Sequence, residues 1–160
     1  MIKKNKLLIA LIVLALSLAG FSSTPADTPA GTGAKDDPFL MVVTGEFTKA
    51  KMAEVLAEID SAKKYVSLDL SPMTGDVFDF EFLQENGEDY IMFLKLPGTS
   101  KSIVGTDGFF YGGRFLNLKS INIGNSVASI GREAFSGCIG LTSVTIPDKR
   151  KMTHFTQLQG

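Results

Sequence analysis

Four stretches decide the reading of this chain: V-S-L-D-L-S from Val66 to Ser71, M-F-L-K-L-P from Met92 to Pro97, K-S-I-N-I-G from Lys119 to Gly124, and T-S-V-T-I-P from Thr142 to Pro147. Each carries two aliphatic residues two positions apart: Leu68/Leu70, Leu94/Leu96, Ile121/Ile123 and Val144/Ile146. Residues two apart on a strand point to the same face, so each pair predicts a short strand with one apolar side. The pairs recur at near-constant steps: Leu68 to Leu94 is 26 residues, Leu94 to Ile121 is 27, and Ile121 to Val144 is 23. A period of 20–30 residues predicts a solenoid, in which each turn of chain lays one strand in parallel beside the last.

The segments between the strands repeat as well. Gly105 to Gly112 (GTDGFFYG) lines up with Gly131 to Cys138 (GREAFSGC), which superposes Phe109 on Phe135 and Gly112 on Cys138. Leu118 then matches Leu141 at the shorter step of 23. The predicted repeat core is Leu68, Leu70, Leu94, Leu96, Phe109, Leu118, Ile121, Ile123, Ile130, Phe135, Cys138, Leu141, Val144 and Ile146. In that alignment Cys138 fills a slot for a small residue and reads as buried filler rather than as a reactive thiol.

Ile121 to Pro147, INIGNSVASIGREAFSGCIGLTSVTIP, resembles one full unit plus the next strand of the BspA-like leucine-rich-repeat surface proteins. The match is close over 118–147, looser over 65–117, and residues 39–64 resemble the region that precedes the repeats in such proteins; Ala128 stands where that unit usually has Thr. The resemblance implies a right-handed leucine-rich-repeat-like β-solenoid. It also implies a bacterial surface or secreted location and adhesive, non-enzymatic binding of a protein or glycan partner.

Upstream, Met52, Val55, Leu56 and Ile59 recur at helical spacing behind Thr48, a natural N-cap, and predict a helix ending near Lys64. Phe39 to Val43 predicts a strand ahead of it. The chain opens with Lys3, Lys4 and Lys6 and the apolar run Leu7 to Gly20. That run is shorter than the ~20 residues of a membrane span, and with its charged start it reads as a secretory signal peptide. The residue after Leu18-Ala19-Gly20 is Phe21, not the Cys that a lipid anchor requires. The expected organisation is a signal peptide over 1–22, a flexible, disordered linker over 23–38, a strand-helix cap region over 39–64, the solenoid over 65–148 and an off-pattern tail over 149–160.

The 160-residue chain has a formal net charge of −1, which becomes −4 once the three lysines of the signal segment are removed. That balance speaks against a nucleic-acid partner. One Cys, Cys138, rules out an internal disulfide, and one His, His154, with that Cys falls short of a closed zinc site. No phosphate-binding loop motif is present. Asp76, Asp79 and Glu81 alternate with Phe78, Phe80 and Phe82, the pattern of a strand with one wet face rather than of a calcium loop. Catalytic, cofactor-binding and metal residues are therefore assigned to none, and no cofactor is expected. The leading functional expectation is an exported, non-catalytic repeat protein that binds a protein or glycan, with no stable membrane span after cleavage. The alternative is a truncated family member without independent activity; an enzyme is the weakest reading. Nothing after Asp148 reads as a further strand, so an uncapped C-terminal edge, open to self-association, is expected.

Overall fold

The computed structural model describes residues 31–83, 86–104, 115–132 and 134–146, and the backbone of 154–155. The signal segment, the first part of the linker and Phe109 lie outside the described residues.

The four predicted strands form, and the predicted pairs set their register. β1 (Phe39–Val42), β3 (Val66–Asp69), β6 (Ile91–Lys95), β8 (Ser120–Asn122) and β10 (Ser143–Thr145) make one parallel sheet in that order. Leu68 faces Leu94, Leu94 faces Ile121, and Ile121 faces Val144. The second aliphatic residue of each pair extends the ladder past the strand: Leu70, Leu96 and Ile123 donate their N–H groups to Lys95, Asn122 and Thr145 on the next turn at 2.8–3.0 Å. β1 enters the same ladder, with Met41 opposite Leu68 and the Val43 N–H donating to Asp69. The solenoid thus begins one turn earlier than Val66.

A second parallel sheet runs down another side of the coil. β5 (Val77–Asp79), β7 (Ser102–Val104), β9 (Ser129–Ile130) and β11 (His154–Phe155) pair in sequence, so that Phe78, Ile103, Ile130 and Phe155 form one row. The pairing of β11 corrects the expectation that residues 149–160 leave the pattern. The tail supplies the next strand of this second ladder, which needs only backbone N–H and C=O groups at the right step. At the corner between the two sheets, β2 (Gly45–Glu46) pairs with β4 (Met73–Thr74).

The third side holds the helix α1 (Lys49–Ala62) in the first turn and 3-10 turns at Phe80–Leu83 and Glu88–Tyr90 in the second. The Thr48 hydroxyl accepts from the Lys51 N–H at 3.2 Å, and the helix stops at Lys63 in the left-handed region, φ 50°. Met52, Val55, Leu56 and Ile59 are fully buried, as their spacing requires. Gly87 sits against this helix at φ +113°, where a Cβ would stand 2.4 Å from the Leu56 carbonyl oxygen; only glycine fits. The 3-10 turn corrects the reading of 78–82 as one strand. The strand ends at Asp79, whose carboxylate accepts from the Glu81 N–H at 2.8 Å and so bends the chain. Phe80 and Leu83 then turn inward together.

Residues 31–38 correct the linker. The Thr32 and Gly33 N–H groups both donate to the Asp37 carbonyl, the Asp37 carboxylate accepts from the Thr32 N–H, and the Gly33 carbonyl accepts from the Tyr65 N–H. The glycine- and proline-rich composition that suggests a free spacer here makes a tight turn docked on the first coil.

The core runs along the solenoid axis. An aromatic spine links turn to turn: Phe47 stacks on Phe78 at 4.8 Å, Phe78 meets Phe80 edge-on at 5.0 Å, and Phe80 meets Phe115 and Phe135 at 5.8 Å each. Of the predicted core residues, Leu68, Leu70, Leu94, Leu96, Leu118, Ile121, Ile123, Ile130 and Cys138 are buried. Phe135, Leu141, Val144 and Ile146 are half-buried and packed against that core. They belong to the last described coils, where burial from the C-terminal side is incomplete. Cys138 also changes partners. Leu118 N–H donates to Phe115 and Leu141 N–H donates to Cys138 in equivalent turns, so Cys138 takes the place of the buried Phe115, not that of Gly112.

Candidate binding surface

Alternation along the strands of the five-stranded sheet sends one set of side chains inward and leaves the other on the outer face. Two outer rows cross the coil. Leu40, Ser67, Phe93, Ser120 and Ser143 form the first, and Val42, Asp69, Lys95, Asn122 and Thr145 the second, each in register with its neighbours. A sequence that buried both faces would read as an unbroken apolar run; here serine, asparagine, threonine and charge occupy the outer positions.

The two halves of this face differ. Turns four and five present Ser120, Asn122, Ser143 and Thr145, all small and polar. Turns one to three present larger groups. Phe93 reaches the outer row because β6 carries one extra residue: Val66 pairs with Ile91 and Ser67 with Phe93, which leaves Met92 as a bulge with its side chain buried. Leu40 on the edge strand is 46% exposed. Ahead of the strands, Tyr65 and Tyr90 lie ring to ring at 5.7 Å, with the Lys35 ammonium 5.8 Å from the first ring centre and that of Lys63 5.7 Å from the second.

The one ion pair on the outer rows joins Asp69 to Lys95 at 3.1 Å. Partial burial pushes the Asp69 carboxyl up. Hydrogen bonds from Ser71, including its N–H at 2.8 Å, and the Lys95 ammonium outweigh that and hold it below the usual carboxylate range. Asp69 is therefore charged at neutral pH and committed to its own neighbours.

The other residues singled out as chemistry-bearing do not converge. Asp76 pairs with Lys101 at 3.0 Å, Glu81 with Lys49 at 3.1 Å, and Asp79 caps its own turn. Among the described residues, no group of three or more His, Cys, Asp and Glu side chains gathers to hold a metal ion. Burial pushes the Cys138 thiol up to about 12, which keeps it a protonated filler. His154 lies in β11, whose side chains are not described. The outer-face residues were visible in the sequence as the intervening letters of the repeat strands. The grouping of Tyr65, Tyr90 and Phe93 was not, because it depends on the bulge at Met92.

Residues 105–157 match the family model described as BspA type leucine rich repeat region (6 copies). No curated protein and no solved structure matches the chain. Among the described residues, no helix is long and apolar enough to cross a membrane.

Proposed function

The chain is a BspA-like leucine-rich-repeat family member through its matched region, residues 105–157, and from that premise we propose that it is an exported, non-catalytic binding module that engages a protein partner through the outer face of its five-stranded sheet. The observation that carries this reading is the sheet itself. Five parallel strands in register hold ten outward side chains in two straight rows on a backbone fixed by the buried inner rows. A rigid, extended, side-chain-diverse surface of this kind suits recognition, since little order has to be imposed on binding.

Export rests on the lysine-led apolar segment up to Ser22 and on the surface and secreted habit of the family. The non-catalytic reading rests on chemistry: the thiol is buried and protonated, and the carboxylates considered as a cluster are each tied to a lysine or to their own turn. A protein partner is favoured over a glycan by the tyrosine faces. Lysines already lie over both rings, where a sugar would have to stack, while tyrosine and phenylalanine with a polar rim are the usual centre of a protein contact.

The test is saturation binding of fluorescently labelled residues 23–160 to surfaces coated with extracellular proteins and to intact cells. The reading expects at least one surface to bind saturably, with unlabelled protein competing. Linear, non-competable uptake on every surface would reject it.

A further inference from the structure

The two ends of the outer face differ in charge as well as in size, and this difference identifies the chemistry of the partner. In each ion pair near the aromatic end, the cation stands further into solvent than the anion. Lys95 is 48% exposed against 21% for Asp69, and Lys63 is 59% exposed against 34% for Asp60. Lys35 adds a third exposed ammonium over Tyr65. The neighbouring carboxylates are mostly turned to their own backbone. Asp37 accepts from the Thr32 N–H, Asp69 from the Ser71 N–H, and Asp89 from the Leu116 N–H; Asp36, in the turn with Lys35, is the exposed exception. Tyr65 precedes Ser67 by two residues and so shares its side of the sheet, next to Phe93. A chain with an overall negative charge thus carries one local surface that is cationic and aromatic.

The dimensions of the face limit the partner. Five strands about 4.8 Å apart, each about four residues long, make a surface roughly 19 Å by 13 Å. That is well under the ~800 Å² that each side of a stable globular contact buries. An extended peptide of about six residues, at about 3.3 Å per residue, spans the same 19 Å.

We propose that the outer face over turns one to three binds an extended acidic peptide segment. Its carboxylates meet Lys35, Lys63 and Lys95, and its apolar side chains lie against Tyr65, Tyr90 and Phe93. The binding reading of the sheet face underlies this assignment. The acidic segment would run across the strands, its ends reaching Leu40 on one side and the serines of turns four and five on the other. Pairs of this kind steer association and weaken with salt.

The test uses full-length mature protein and a fluorescein-labelled heptapeptide of alternating glutamate and tyrosine, read by anisotropy. The lysine–tyrosine heptapeptide and heparin serve as parallel probes. The glutamate peptide should bind and the lysine peptide should not. The Lys35→Gln/Lys63→Gln/Lys95→Gln variant should lose about tenfold or more in affinity with an unchanged melt, since exposed charges carry little stability. Lys49→Gln/Lys101→Gln, on other sides of the coil, should bind as the parent does. Phe93→Ser tests the aromatic half and should weaken binding at every salt concentration. Equal binding by the triple glutamine variant would overturn the assignment, as would heparin binding where the peptide does not. If saturable binding to extracellular proteins persists while the glutamate peptide fails, the sheet-face reading stands and the acidic-peptide assignment is wrong.

Discussion

Phe80 is the crossing point of the aromatic spine, and its removal is the most informative perturbation of the fold. Its ring is 1% exposed and meets three others: Phe78 at 5.0 Å and 90°, Phe115 at 5.8 Å and 78°, and Phe135 at 5.8 Å and 85°. Replacing a buried phenylalanine by alanine costs about 3–5 kcal/mol in transfer and cavity terms. The three edge-on contacts favour the upper part of that range, because such pairs add about 0.5–1.5 kcal/mol each beyond area burial. Total stability is about 5–15 kcal/mol, so Phe80→Ala removes a large fraction of it. Phe135→Ala deletes the same atoms from a half-buried position and should cost roughly half as much, because the transfer term scales with the area taken from water. Urea unfolding followed by circular dichroism gives both values, and an unchanged slope would show that the two variants unfold the same unit. A cost below about 1 kcal/mol for Phe80→Ala, or a larger cost for Phe135→Ala than for Phe80→Ala, would refute the spine as the element that ties the turns together.

Three further outcomes follow from named contacts. The Asp69 carboxyl titrates below its ordinary value, so its contribution is present above about pH 4 and is lost as pH falls through the folded value. The gap in melting temperature between the parent and Asp69→Asn should hold constant from neutral pH down to about 5 and close below about 4; with Lys95 48% exposed, the effect should stay below about 1 kcal/mol. Cys138, buried and pushed up to about 12, should resist a thiol reagent in the native protein and react at the unfolding rate in urea; fast native labelling would contradict its place in the core. Ser129→Cys/His154→Cys should form a disulfide on mild oxidation, since those residues are register partners, and failure to cross-link would remove the tail from the second ladder.

The main ladder was legible in the sequence because it is written twice per turn. Leu68 and Leu70, or Ile121 and Ile123, are paired aliphatics whose inward rows repeat at a nearly fixed step, and the structure places each opposite its predicted neighbour. The second ladder was not legible. Each of its strands supplies a single inward residue to the row, and that residue changes from Phe78 to Ile103, Ile130 and Phe155. Two or three residues paired through backbone groups leave no period to read. Residues 31–38 were misread for a related reason. Glycine, proline and aspartate mark both a free linker and a tight turn, and only the Gly33–Tyr65 hydrogen bond separates the two. Phe93 and Met92 were quoted correctly as neighbours in a strand, but a one-residue bulge decides which of them faces out, and bulges leave no mark in a hydropathy pattern.

The account stands on the claim that recognition belongs to the outer face of the five-stranded sheet, and substitutions on the two sheets can separate that face from the rest of the coil. Ser120→Arg/Asn122→Arg places two bulky side chains on the outer rows of the five-stranded sheet, and Ser102→Arg/Ser129→Arg does the same on the four-stranded sheet. The four positions are half-buried or exposed at strand centres, so both pairs should leave the melt nearly unchanged. Measured on a surface that binds the parent saturably, the Ser120/Asn122 pair should lose about tenfold or more in affinity, the scale of losing about 1.4 kcal/mol of contact, while the Ser102/Ser129 pair binds as the parent does. Equal affinity for all three proteins, or loss only in the Ser102/Ser129 pair, would contradict the account.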